Sequence, residues 1–151
     1  MAMKRGDIVF LDTNILLAAT DAGRSVHHVA VGVFQDLPGE GVHLAVSGQV
    51  LREYLVVATR PVKNNGLGLA PRDAIENIIE FRSRTIFLEE NLDTSEGLVD
   101  LLSQTGTRGK RIHDMNIAAT MISHRIRILM TFNPGDFTGI PVIEVRVPGG
   151  D

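Results

Sequence analysis

The chain has 151 residues, 44% of them hydrophobic, and a formal net charge of -3. That length suits one domain with a real core, and that hydrophobic content excludes a disordered polar chain. Cysteine is absent, which excludes disulfides, thiolate catalysis and cysteine-ligated zinc and fits a reducing cytoplasm. Six Phe, one Tyr and no Trp leave an aliphatic core, as in helix-covered parallel sheets. Mild acidity is no signature of a nucleic-acid binder, but acidity concentrated in one site leaves room for basic patches elsewhere.

Lys4 and Arg5 precede the apolar run Ile8–Leu17, which superficially resembles a signal peptide. Asp12 and Asn14 interrupt that run, so a first strand over Ile8–Leu11 is expected instead. Asp12-Thr13-Asn14 then offers helix-start chemistry before Ile15-Leu16-Leu17. Val26, Val29, Ala30, Val33, Phe34 and Leu37 recur at helical spacing, and Pro38-Gly39 is expected to stop that helix. Val42–Val46 reads as a second strand. Ser47 caps a helix whose apolar stripe is Val50, Leu51, Tyr54, Leu55 and Ala58, with Glu53 flanking the stripe.

Arg60–Gly68 reads as a loop, and Pro71 starts a helix with Ile75, Ile78, Ile79 and Arg82 on one face. Thr85–Leu88 is a third strand. Asp93 and Glu96 suggest a capping box for a helix carrying Leu98, Leu101 and Leu102. Gln104–Arg111 is a basic loop whose glycine spacing is not that of a P-loop. His113–Arg125 reads as a buried helix, with strands over Ile126–Thr131 and Val142–Val147. Strands alternating with helices predict an α/β sandwich, with a mostly parallel central sheet of about five strands flanked by helices. No segment has the uninterrupted apolar length of a membrane span.

In such folds ligands gather beyond the carboxyl ends of the strands. Asp12 follows the first strand and Asp136 follows the fourth; Glu53 and Asp114 lie on helices near the core boundary. Four carboxylates in one cleft cannot all stay ionised without a cation. Hard oxygen ligands favour Mg²⁺ or Mn²⁺, and such an ion completes its shell with water or a polyanion.

Leu11-Asp12-Thr13-Asn14-Ile15-Leu16-Leu17 resembles the opening motif of PIN-domain ribonucleases. Arg52-Glu53 within Val50–Val57 resembles their second acidic position, and His113-Asp114-Met115-Asn116-Ile117-Ala118-Ala119 their third. Thr131-Phe132-Asn133-Pro134-Gly135-Asp136-Phe137 resembles their closing Thr-x-Asn-x-x-Asp-Phe pattern. The likeness spans nearly the whole chain in order, and within the family it is nearest to the single-domain VapC-type toxins. It implies a PIN-like three-layer sandwich over residues 1–147, with 148–151 as a flexible tail. It implies Mg²⁺-dependent cleavage of RNA by metal-activated water, tRNA-like structured RNA as substrate, a homodimer in the cytoplasm, and a small cognate antitoxin. Asp12, Glu53, Asp114 and Asp136 become the catalytic and metal-binding set. Met115 stands where the family usually has Ala, a departure expected to narrow the approach to Asp114.

Each residue also has an ordinary reading. Asp12 caps a helix, Glu53 is a helix-surface glutamate, Asp114 is a first-turn acid, and Asp136 belongs to a turn. Thr13, Thr131 and Asn133 either orient the carboxylates or make local backbone hydrogen bonds. Arg60, Lys63, Arg108, Lys110 and Arg111 either track an RNA backbone or are solvated loop charges. Two other functions compete: a catalytically inactive PIN-like scaffold that binds RNA or protein, and a haloacid-dehalogenase-type phosphatase with Asp12 as nucleophile. The phosphatase pattern wants a second Asp where this chain has Asn14.

Overall fold

The computed structural model describes residues 3–150. Met1 and Ala2 of the expected domain, and Asp151 of the expected tail, lie outside the described residues. Five strands form one sheet: β1 (Ile8–Leu11), β2 (His43–Ser47), β3 (Ile86–Leu88), β4 (Ile128–Met130) and β5 (Glu144–Arg146). The order is β3-β2-β1-β4-β5, and every pairing is parallel. The expectation of a mostly parallel sheet is met in full. Val9, Phe10, Leu11, Ala45, Val46 and Leu129 are completely buried, the unbroken apolar pattern of strands covered on both faces.

Six helices accompany the strands among the described residues: α1 (Thr13–Thr20), α2 (His27–Gly39), α3 (Gly48–Thr59), α4 (Pro71–Ser83), α5 (Leu92–Thr105) and α6 (Arg111–Ser123). They pack in two groups, α1 against α2 and α3 with α4 beyond, and α5 against α6. None is long and apolar enough to cross a membrane. Tyr54 of α3 meets Phe81 of α4 edge-on, and Phe81 also touches Phe34 of α2, so one aromatic side chain ties three helices together. The Tyr54 hydroxyl is satisfied by Thr20 and by the side-chain amide of Asn77.

The chain builds outward from central β1 to β2 and β3, then returns to lay β4 and β5 on the other side. The strand order therefore reverses between β1 and β4. In open parallel sheets a ligand crevice lies at such a reversal, beyond the carboxyl ends. Asp12 follows Leu11 there, and Thr131 follows Met130, with the Asp12 amide donating to the Met130 carbonyl at 3.0 Å.

Several local expectations change. Helix α2 runs through Pro38-Gly39 before ending at Glu40. The inward face of α4 is Ala74, Ile78 and Phe81; Ile75 and Ile79 are 51% and 59% exposed. The capping box of α5 is Asn91 with Thr94, two residues before the expected pair. Of the residues expected to form a tail, Pro148 is buried and Gly149 lies against Val29.

The C-terminus of α3 is closed by the loop after it. Leu67, Gly68 and Leu69 amides donate to the carbonyls of Val57, Arg60 and Ala58, groups a helix end otherwise leaves to water. The loop comes so close that a Cβ on Gly66 would lie 1.9 Å from the Arg60 carbonyl oxygen, so only glycine fits.

Candidate active site

Asp12 is the fixed point of the site. It caps α1 by accepting from the Thr13 amide at 2.8 Å through Oδ1. Its Oδ2 accepts from Thr131 Oγ1 at 2.8 Å and from Asn14 Nδ2 at 3.3 Å. The capping and site readings are therefore compatible: the cap fixes one oxygen and leaves the carboxylate at the crevice. Asn14 ties β4 to α1, since its Nδ2 donates to Thr131 Oγ1 at 3.0 Å and its Oδ1 accepts from the Phe132 amide at 3.0 Å. The Asn133 amide also donates to Thr131 Oγ1, at 3.0 Å, while the Asn133 side chain is exposed.

Glu53 reaches the same place from α3. Its Oε2 accepts from Thr13 Oγ1 at 3.0 Å, and its Oε1 accepts from Gln49 Nε2 at 3.0 Å. The Gln49 amide also donates to the His113 carbonyl at 2.8 Å. Its own oxygen accepts from Asn116 Nδ2 at 2.7 Å, and the same Asn116 amide donates to Glu90 just past β3. A chain of polar groups thus runs from Thr13 through Glu53, Gln49 and Asn116 to Glu90. Gln49 and Glu90 were missed by sequence reasoning. The available signals were Gln49 one helical turn before Glu53, and Glu90 just beyond a strand's carboxyl end.

Asp114 sits in the first turn of α6, and Asp136 in the short 3-10 turn Pro134–Phe137 after β4. Both are half-buried. Burial pushes the Asp12 carboxyl above its ordinary value; hydrogen bonds from Thr131 and Thr13 oppose this, and the charges of Glu53 and Asp136 add to it. Burial, then the charges of Asp136, Asp12 and Glu53, push Asp114 up to about 6, with Arg111 opposing. The charges of Glu53 and Asp136 therefore reach both Asp12 and Asp114. Arg111 stands beside them, its guanidinium donating to the Asp136 carbonyl at 3.4 Å.

Among the described residues no three carboxylates or imidazoles lie close enough to hold an ion as they stand. The donor set itself, four carboxylates with no soft ligand, suits a hard divalent cation. Met115, expected to narrow the approach to Asp114, is 2% exposed and belongs to the hydrophobic core.

Beside Glu53 lies a cavity of about 550 Å³ lined by Thr13, Arg52, Val56, Val57, Arg60, Lys110 and His113. Of the basic residues singled out in the sequence, Arg60 and Lys110 line it and Arg111 stands by the acids. Lys63 and Arg108 are exposed and line neither. Arg52 and His113 were not among them.

A family model described as PIN domain matches residues 9–141. No curated protein matches the chain. Among solved structures, the VapBC2 complex of Rickettsia felis bound to a promoter DNA fragment is similar, at 21% identity and TM-score 0.66 over 93% of this chain and 98% of that one. VapC20 of Mycobacterium tuberculosis, described as a sarcin-ricin loop cleaving toxin, is 23% identical with TM-score 0.69, over 91% and 98%. A toxin–antitoxin complex from Klebsiella pneumoniae is 26% identical with TM-score 0.58, over 90% and 95%.

Proposed function

The chain belongs to the PIN-domain family, and from that premise we propose that it is a divalent-metal-dependent endoribonuclease, the toxin of a VapC-type toxin–antitoxin pair. One observation carries the reading: Asp12 after β1, Glu53 on α3, Asp114 on α6 and Asp136 after β4 come from separate elements to one crevice, where Thr13 bonds both Asp12 and Glu53, and where burial first and neighbouring acid charges second raise Asp12 and Asp114. A scaffold gains nothing from holding like charges together in one crevice.

In this reading Asp12, Glu53 and Asp114 would hold Mg²⁺ or Mn²⁺, with Asp136 as a direct or water-mediated fourth partner. The ion would supply positive charge and a water acidic enough to ionise near neutral pH. The chain's own groups do the rest. Thr131, Asn14 and the Thr13 amide hold Asp12 against rotation. Thr13 and Gln49 each occupy one oxygen of Glu53 and so fix its plane. Arg111 offers a positive charge beside the acids for an incoming phosphate.

The substrate in this reading is a structured, tRNA-like RNA cut in a single-stranded loop, because a crevice at strand ends admits a splayed strand more easily than a stiff A-form helix. A small cognate antitoxin, a homodimer and a cytoplasmic setting complete it. The toxin–antitoxin complexes among similar structures support the antitoxin. The apolar pair Ile75 and Ile79, turned outward on α4, supports a second copy as a partner.

The test is to incubate purified protein with total cellular RNA in Mg²⁺ or Mn²⁺, with EDTA as control, and to map the new ends. A small set of metal-dependent cuts in single-stranded loops is expected. Bound but uncut RNA would favour the scaffold reading. Indiscriminate degradation, or equal cutting of single-stranded DNA, would remove the specific ribonuclease.

A further inference from the structure

The cavity between α3 and the start of α6 has a chemical pattern of its own. Arg52 and Val56 lie one turn apart on α3 and so share one face, Val57 lies beside them, and Arg60, which caps the C-terminus of α3, completes this wall. Val56 is 57% exposed, a branched apolar side chain held out to water within the cavity. Lys110 and His113 form the opposite wall, and Thr13 and Glu53 join it to the carboxylates. Among the described residues Arg52, Arg60 and Lys110 take part in no ion pair. Glu53, the one acid in the lining, already accepts from Thr13 and Gln49. The cavity therefore offers an apolar strip between free cationic rims, opening onto the acidic crevice.

An anion carrying a flat, weakly polar group matches that surface at both ends. We propose that this cavity binds one unpaired nucleotide of the RNA next to the scissile phosphate. Its base lies on Val56 and Val57 and its phosphate is held by Arg60 and Lys110. The proposal rests on the ribonuclease reading and adds a recognition site to it. The volume falls within the range of small-molecule pockets, roughly 300–1,000 Å³. An unpaired base can turn its face onto such a surface while a base stacked in a duplex cannot, so the cavity favours single-stranded RNA next to the cut. No Phe, Tyr or Trp is among the residues lining it, so base contact falls to the valines, to the His113 imidazole and to the guanidinium planes of Arg52 and Arg60. The closed α3 C-terminus matters here, because the loop seated on the Arg60 carbonyl holds Arg60 at the rim.

The test uses the full chain carrying Asp12→Asn, in EDTA, so that RNA stays intact. Binding of a short fluorescein-labelled, mixed-sequence single-stranded oligoribonucleotide is read by anisotropy. Adding Val56→Glu or Arg60→Ala should each weaken binding about tenfold, while Val56→Ile keeps it. In the otherwise wild-type protein, Val56→Glu should keep its Mn²⁺-induced rise in Tm, which shows that fold and acidic site are intact. Three outcomes overturn the proposal: Val56→Glu and Arg60→Ala both binding like the parent, a blunt RNA duplex binding as tightly as the single strand, or an acidic peptide binding where the oligonucleotide does not. Cleavage by the wild-type protein is measured separately. Its absence removes the ribonuclease reading, whereas intact cleavage with unaltered variant binding removes only this nucleotide site.

Discussion

Gln49 and Glu53 lie one turn apart on α3, and the Gln49 amide donates to Glu53 Oε1 at 3.0 Å while also donating to the His113 carbonyl at 2.8 Å. Gln49 is 2% exposed, so its amide has no water to turn to. It couples the plane of the Glu53 carboxylate to the start of α6, the helix that carries Asp114. A side chain in this position orients a ligand without being one.

Gln49→Leu keeps similar bulk and removes both donors. It should raise the Mn²⁺ concentration needed for half-maximal thermal stabilisation by about 10–100-fold, the usual cost of losing an outer partner of a metal ligand. Cleavage should fall in parallel at low Mn²⁺ and recover partly at high Mn²⁺. An unchanged Mn²⁺ titration would show that Gln49 only fills space.

Asp12→Asn and Asp114→Asn should each remove RNA cleavage more completely than Gln49→Leu does, because each deletes a charge from the acidic set itself. Both proteins should stay folded, since the change relieves repulsion within a buried field. Circular dichroism checks the fold and a cleavage assay checks the loss. Full activity in either variant ends its assignment to the site.

The sign of the pH dependence follows from Asp114. Its carboxyl is raised from 3.8 to about 6 on folding, so the folded state holds the proton more tightly than the unfolded chain. Stability from this group is full below the unfolded value and is lost as pH rises through about 4 to 6. Asp12 is raised too and acts in the same direction. Without divalent metal, Tm should therefore fall across that window, and Asp114→Asn should flatten the fall. Saturating Mn²⁺ should restore Tm near neutral pH, at about 2–4 °C per kcal/mol of binding for a chain of this size. A metal-free Tm that climbs across the window, with Asp114→Asn no different, would contradict the shared acidic field.

Much of this was legible because local rules and the fold agree. The unbroken apolar run before Asp12 reads as a buried strand and is one, and Ser47 caps α3 with its Oγ, accepting from the Val50 amide at 3.5 Å. Where the sequence carried two equal patterns, packing chose. Helix α4 has two overlapping apolar stripes, and the one holding Phe81 turns inward because Tyr54 and Phe34 meet it there. Before α5 the expected pair Asp93 and Glu96 gives way to Asn91 with Thr94, and Thr94 is buried against Ser123. Gln49 was illegible for a related reason. A helical glutamine looks solvent-facing until its partners, one from Glu53 and one from a carbonyl 64 residues away, are in place.

Thr131 offers the sharpest separation of hydrogen bonding from packing. Its hydroxyl donates to Asp12 Oδ2 at 2.8 Å and accepts from Asn14 Nδ2 and the Asn133 amide, both at 3.0 Å, which uses one donor and two acceptor positions. The side chain is completely buried. Thr131→Val keeps the shape but leaves the Asp12 carboxylate short of a donor and two N–H groups without their acceptor, at a cost of about 1–3 kcal/mol for an unsatisfied buried group. Thr131→Ser keeps the hydroxyl and loses one methyl group, worth about 0.8 kcal/mol of burial. Activity should therefore survive Thr131→Ser far better than Thr131→Val, and Mn²⁺ titration of Tm should rank the two the same way. If the valine variant keeps its activity and the serine variant does not, the contact that matters at this position is the methyl group, and the hydroxyl does not orient Asp12.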